Sequence, residues 1–196
     1  MNIAVLVSGG GTNLQALIDA QARGELAPGE IKLVISSRKD AYALLRAKNA
    51  GIETLVLRPR DFSDAEAHDC AMFEALKSHD IGLVVLAAYL SLIGKNVLRE
   101  YDRRILNVHP SLIPSFSGKG FYGLRVHEAA LEYGVKITGA TVHFANEEYD
   151  MGEIVLQKAV DILPGDTPQT LQKRVMEEAE WQIFPKAVAM FCRGEI

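Results

Sequence analysis

Cysteine is scarce in this 196-residue chain, which has only Cys70 and Cys192. Two thiols make neither a disulfide framework nor a cysteine-based metal cage, and they suit a reducing cytoplasm. Long apolar runs are missing as well, since no stretch approaches the ~18 uninterrupted apolar residues of a membrane span. Nor is there an excess of positive charge. Lys and Arg number 21 against 25 Asp and Glu, a net charge of −4, which argues against a large nucleic-acid footprint. No HxH, HExxH or paired-cysteine spacing occurs, so no metal site is expected. The start, MNIAVLVSGGG, has no basic leader and meets its glycines too early for a secretory signal. It reads as the first strand of the fold.

What is present is ordinary for a globular chain: 48% hydrophobic and 23% charged residues. Short runs rich in Val, Ile and Leu (Ile3–Val7, Ile31–Ser36, Thr54–Leu57, Leu83–Ala87 and Arg104–His109) suit strands buried on both faces of a parallel sheet. Segments with helical spacing lie between them, at Asn13–Gln21, Ala41–Ala50 and Ala65–Lys77. This alternation predicts an α/β fold, a wound and mostly parallel sheet flanked by helices. Lys136–Phe144 and Glu153–Ile162 are longer β runs with no helix between them and should pair as an antiparallel C-terminal extension. A closing helix is capped by Thr167 and Pro168 and runs toward Phe191, with a break or kink expected at Pro185. No repeat, low-complexity tract or linker interrupts the chain, so residues 1–196 read as one Rossmann-like domain.

Two stretches carry chemistry. Ser8-Gly9-Gly10-Gly11-Thr12-Asn13 joins the first strand to the first helix. Glycines allow close backbone approach, and free N–H groups at a helix start favour an anion, so a single phosphate is the natural ligand. The GK[ST] ending of a P-loop is missing, Leu14 replaces the third glycine of a dinucleotide fingerprint, and a plain tight turn stays open as the alternative. The second stretch is Asn107-Val108-His109-Pro110. Residues two apart on a strand share a face, so Asn107 and His109 project together where Pro110 ends the strand. Wound sheets bind ligands at such carboxyl ends. An amide can hold an oxyanion and an imidazole can hold or move a proton, although a lone His also serves structure. Asp150, in an acidic loop, is the acid to pair with them, and spacing alone does not place it there. His143 shares a face with Thr141 and reads as support. His68 and His79 read as surface residues, and Trp181, Ile183 and Phe184 as packing.

The fragments SGGGTNLQALID, ILNVHPSLIPSFSGKGFYG, TGATVHF and DMGEIVLQKAV together resemble the phosphoribosylglycinamide formyltransferase family, within the formyltransferase superfamily, over essentially the whole chain. The resemblance implies a cytoplasmic enzyme of purine synthesis that passes the formyl group of 10-formyltetrahydrofolate, a co-substrate, directly to the amine of glycinamide ribonucleotide. By the same resemblance Asn107, His109 and Asp150 are the catalytic trio, with Asp150 raising the pKa of His109. Gly11, Thr12 and Asn13 bind the substrate phosphate, and Glu180 contacts its ribose. Leu90, Ser91, Leu92 and Ile93, with Asn107 and the Asp150 loop, form the folate pocket. Residues 1–100 become a phosphate-binding half and 101–196 a catalytic and folate-binding half. Two departures stand out: Ala65 occupies a place where relatives often carry a folate-binding Arg, with Arg58 or Arg60 as replacement or a looser hold on the folate tail as the alternatives, and Ser91 stands where some relatives have an Arg. Gly118–Gly123 reads as a flap. A tRNA formyltransferase would be expected to carry a further C-terminal domain, and a formyl hydrolase an N-terminal one. A non-catalytic sugar-phosphate binding module remains the reading from another class. The sequence leaves room for a homodimer.

Overall fold

A computed structural model describes all 196 residues. Seven strands form one continuous sheet: β1 (Asn2–Val7), β2 (Glu30–Ser36), β3 (Glu53–Val56), β4 (Ile81–Leu86), β5 (Ile105–His109), β6 (Ile137–Phe144) and β7 (Ile154–Asp161). Their order is β3-β2-β1-β4-β5-β6-β7. The first five are parallel, and β6 and β7 add antiparallel to that edge. The helices are α1 (Thr12–Ala22), α2 (Tyr42–Asn49), α3 (Ala65–Ser78), α4 (Lys95–Glu100), α5 (Leu124–Tyr133), α6 (Pro168–Val175) and α7 (Trp181–Cys192). No helix is long and apolar enough to cross a membrane.

Alternation along the central strands builds two cores. Ile3, Val5 and Val7 of β1 pack with Leu14 and Leu17 of α1, Ala43 and Ala47 of α2, and Phe184 and Val188 of α7. Ala4 and Leu6 face the other way, toward Met72 and Leu76 of α3 and Val97 of α4. Helices thus cover both faces, which is why the strands read as unbroken apolar runs.

The structure corrects two local expectations and adds α4 and α5, which the sequence reading did not mark. The closing helix departs from α geometry at Met176–Glu180, which form a π turn, and α7 continues through Pro185. His68 is buried rather than at the surface, with Nε2 3.3 Å from the Leu57 carbonyl and its ring edge-on to Phe62. Helix α4 gave no sequence signal because its cap comes from elsewhere. Asp69 of α3 accepts the Asn96 and Val97 N–H groups at 2.8 and 3.3 Å. A Cβ on Gly94 would fall 2.1 Å from the Asp69 carboxyl carbon, so only glycine lets the two segments meet.

Candidate active site

The site lies at the carboxyl edge of the parallel strands, where the loops after β1, β4 and β5 converge. The glycine loop is built on Gly11, whose φ of 73° starts α1 from the left-handed region. A Cβ there would also come within 2.6 Å of Ala43 Cβ, so glycine is demanded twice. The N–H groups of the next residues open the helix without intrahelical partners. Thr12 Oγ1 faces Met176 Sδ at 3.7 Å. The Asn13 side chain turns away from the loop, and its Nδ2 donates to Glu180 Oε2 at 2.6 Å. Glu180 is buried, which pushes its carboxyl above the ordinary range against the pull of the Asn13 amide. The π turn brings these two residues, far apart in the chain, onto one another. Widened helical turns of this kind recur at functional sites.

Ser8 was not singled out by its sequence context, yet it ties three loops together. Its Oγ accepts the Leu90 N–H at 2.8 Å and lies 2.6 Å from Ser37 Oγ. The segment after β4 is therefore anchored beside the glycine loop. Along it Leu90 and Leu92 are exposed, Ser91 and Ile93 half-buried, and Ala88 has φ 58°. Burial pushes the neighbouring Tyr89 phenol up to about 12. Tyr149 and Met151, from the hairpin between β6 and β7, are exposed as well. Ala65 starts α3, which Asp64 caps through the Ala67 N–H at 2.8 Å. Of the two arginines considered as replacements, Arg58 is engaged by Asp61 in two 2.6 Å bonds. Arg60 is exposed and makes no ion pair.

Strand register assembles the rest. β5 and β6 run antiparallel with Asn107 opposite His143 and His109 opposite Thr141. Thr141 Oγ1 donates to the Ser111 carbonyl at 2.6 Å and accepts the Ile113 N–H at 3.1 Å, fixing the chain that leaves His109. Asp150 arrives from the β6–β7 loop with φ 55°. Its Oδ2 lies 3.5 Å from His109 Nδ1, and its Oδ1 3.6 Å from His143 Nε2. The Gly118 N–H donates to Oδ2 at 2.8 Å. Gly152 permits this placement, because a Cβ on it would sit 1.6 Å from the Phe144 carbonyl oxygen. On its other edge His109 Nε2–H donates to the Phe116 carbonyl at 2.9 Å. Gly118, the start of the expected flap, and Phe116 just before it are therefore both bonded to the site.

The electrostatics depart from expectation in one respect. Asp150 does pull the His109 proton affinity upward, as does the Phe116 carbonyl. Burial acts the other way and is larger, with His143 adding to it, so His109 stands below its ordinary value. Only 5% of His109 is exposed, and desolvation of the imidazolium decides the sign. For Asp150 burial pushes upward and is outweighed by His143, His109 and the Gly118 N–H, which hold the carboxyl below its usual range. The site thus places an ionised carboxylate against a buried imidazole and beside a side-chain amide. Asn107, His109 and Asp150 come together, and Gly11, Thr12, Asn13 and Glu180 form a second group on the same sheet edge.

Residues 1–188 match the formyl transferase family. A phosphoribosylglycinamide formyltransferase of Haemophilus influenzae is 41% identical over 194 residues, 99% of this chain and 88% of that protein. A chloroplastic phosphoribosylglycinamide formyltransferase of Arabidopsis thaliana is 38% identical over 99% of this chain, which spans 66% of the plant protein, just under two thirds of its length. The crystal structure of glycinamide ribonucleotide transformylase 1 from Symbiobacterium toebii superposes with a TM-score of 0.92 at 43% identity, covering 99% of this chain and 88% of that one. By sequence over nearly its whole length and by fold, this chain belongs to the formyl transferase family.

Proposed function

We propose that the protein transfers the formyl group of 10-formyltetrahydrofolate to the amine of glycinamide ribonucleotide, a step of purine synthesis. The observation that carries this reading is the meeting of Asn107, His109 and Asp150 at the same sheet edge as a glycine-rich helix start, in a chain of this family. The relatives named above supply the substrate class. In this reading the N–H groups of Gly11, Thr12 and Asn13 receive the phosphate, and Glu180 takes the ribose. The formylfolate lies against the rim formed by Leu90, Ser91, Leu92 and Ile93, with Asn107 and the Asp150 loop closing its reacting end. Residues 1–100 then mainly hold the nucleotide, and 101–196 the chemistry.

The reaction needs an oxyanion held and a proton moved. The amine attacks the formyl carbon, and the carbonyl oxygen takes up negative charge. Asn107 Nδ2–H and His109 Nε2–H are the donors for it, the latter exchanging the Phe116 carbonyl for the oxyanion. Burial keeps the His109 ring neutral in the free protein. Negative charge forming beside it in a low-dielectric site favours the imidazolium, which forms when Asp150 passes to Nδ1 the proton it takes from the amine and which the restored carboxylate stabilises. Asp150, ionised at neutral pH, accepts the proton that the amine loses, directly or through a water. Collapse of the tetrahedral intermediate restores the carbonyl on the product and expels the folate nitrogen, which leaves with the proton the amine lost as His109 returns to its neutral form.

The test is an absorbance assay for loss of 10-formylfolate, run with and without glycinamide ribonucleotide. Consumption that requires the nucleotide is the expected result. Binding of both compounds without turnover, or consumption independent of the nucleotide, would overturn the reading.

A further inference from the structure

We propose that His143 is the positioning residue for Asn107, holding its side-chain amide in the one orientation that serves an oxyanion. The inference rests on the reading of Asn107 as an oxyanion donor. An asparagine amide has two ends of nearly equal shape and opposite function, a nitrogen that donates and an oxygen that accepts. Turned with the oxygen toward a developing oxyanion it would repel it. Something must choose the end.

The hydrogen-bond partners of His143 make that choice. Its Nδ1 lies 2.9 Å from the Phe144 carbonyl, which can only accept, so Nδ1 carries the proton. Nε2 then offers a lone pair, and Asn107 Nδ2, 3.0 Å away, donates to it. One N–H of Asn107 is thereby engaged and the second stays free, and the amide forms no other hydrogen bond within the chain. Turning the amide over would set its oxygen against the Nε2 lone pair, two acceptors face to face in a buried place. Asp150 Oδ1 lies farther from Nε2, at 3.6 Å against 3.0 Å for the Asn107 nitrogen, which leaves Asn107 as the hydrogen-bonded partner of that ring nitrogen.

The backbone holds the ring in place. His143 is 2% exposed and stands directly opposite Asn107 in the β5–β6 ladder. On its other side β6 pairs with β7 through an irregular step, Val142 with Leu156 but His143 with Ile154, which leaves Val155 unmatched. Bulges of this kind re-aim side chains beside active sites. Gly152 packs against the same Phe144 carbonyl that receives the Nδ1 proton.

The experiment compares Asn107→Ala, His143→Phe, His143→Gln and the double variant Asn107→Ala/His143→Phe in steady-state formyl transfer. Asn107→Ala should lower kcat by about 10²–10³. His143→Phe should lower kcat by roughly tenfold or more while KM for both substrates stays within about threefold, since it disturbs only how an oxyanion donor is aimed. His143→Gln, whose side-chain oxygen can accept in place of Nε2, should recover most of kcat. The double variant should be no slower than Asn107→Ala, because a residue acting through Asn107 has nothing left to act on. Multiplied losses in the double variant, or a glutamine variant as slow as the phenylalanine one, would overturn the inference. An Asn107→Ala enzyme with wild-type turnover would instead remove the donor role of Asn107, and the inference with it. Nitrogen-15 NMR of the unsubstituted protein tests it without any variant. A proton on Nδ1 of His143 with Nε2 bare is expected, and a proton on Nε2 overturns it.

Discussion

His109, at the end of β5, and Asp150, in the β6–β7 loop, face each other with Nδ1 3.5 Å from Oδ2. Neither element could form the pair alone. β5 delivers the ring, the β6–β7 loop delivers the carboxylate, and the Gly118 N–H binds that carboxylate at 2.8 Å. Both members stand below their ordinary values, the carboxyl because neighbouring groups favour its charge and the ring because burial outweighs the carboxylate.

The first expectation concerns Asp150→Asn. It keeps the shape and removes the charge that stabilises an imidazolium and accepts the amine's proton. Turnover should fall by about 10²–10⁴, the usual range for lost acid–base support. Measured kcat within a few fold of wild type would refute the assigned role.

Gly152→Ala should reach a similar end by another route. The added methyl would lie 1.6 Å from the Phe144 oxygen, so the loop must move and take Asp150 with it. A loss of kcat on the order of 10²–10³ is expected, with little change in helix content, because the loop is largely exposed and only the reacting geometry suffers. Circular dichroism together with kinetics separates the two effects. An active Gly152→Ala enzyme would mean that Asp150 is not held by this contact.

Gly11→Ala combines a left-handed φ of 73° with a 2.6 Å approach to Ala43 Cβ. The two costs together amount to about 2–4 kcal/mol. A lower unfolding midpoint and a raised KM for the nucleotide should appear together, since the same loop start is both strained and assigned to the phosphate. A variant that loses stability while keeping KM would detach the loop from phosphate binding.

The pH dependence of stability should be dominated by His127 of α5. This ring is fully buried, neither nitrogen has a hydrogen-bond partner, and burial with nearby His109 pushes it down to about 4 from 6.5. In the unfolded chain it takes a proton near 6.5, whereas the folded protein resists protonation until about pH 4. The unfolded state therefore binds more protons between those values, and stability falls as the pH drops through that window. The loss should be about 3 kcal/mol at roughly 1.4 kcal/mol per unit, and His109 contributes in the same direction. Urea unfolding at a series of pH values checks it. His127→Leu should flatten the slope between pH 7 and 4, and an unchanged slope would contradict the assignment.

Much of the fold was legible because its signals are local. Runs such as Ile3–Val7 and Leu83–Ala87 are apolar on both sides, which only a strand covered on two faces requires, and helical spacing marked α1, α2 and α3. The projection of Asn107 and His109 from one face followed from the two-residue period of a strand. Helix α4 was not legible, because its capping group, Asp69, lies on another helix. The sequence reading put a break or kink at Pro185, whereas the helix departs from α geometry at Met176–Glu180, where Glu180 meets Asn13 from across the chain.

The chain's own order of residues therefore determined the layered α/β architecture, the glycine loop and the paired amide and imidazole, all of which depend on neighbours in sequence. Tertiary structure alone decided which acid meets His109, which ring receives the Asn107 amide and which way the His109 proton affinity moves. Those depend on strand register and on water excluded by distant segments. Desolvation has no sequence period, and so no local pattern could announce it.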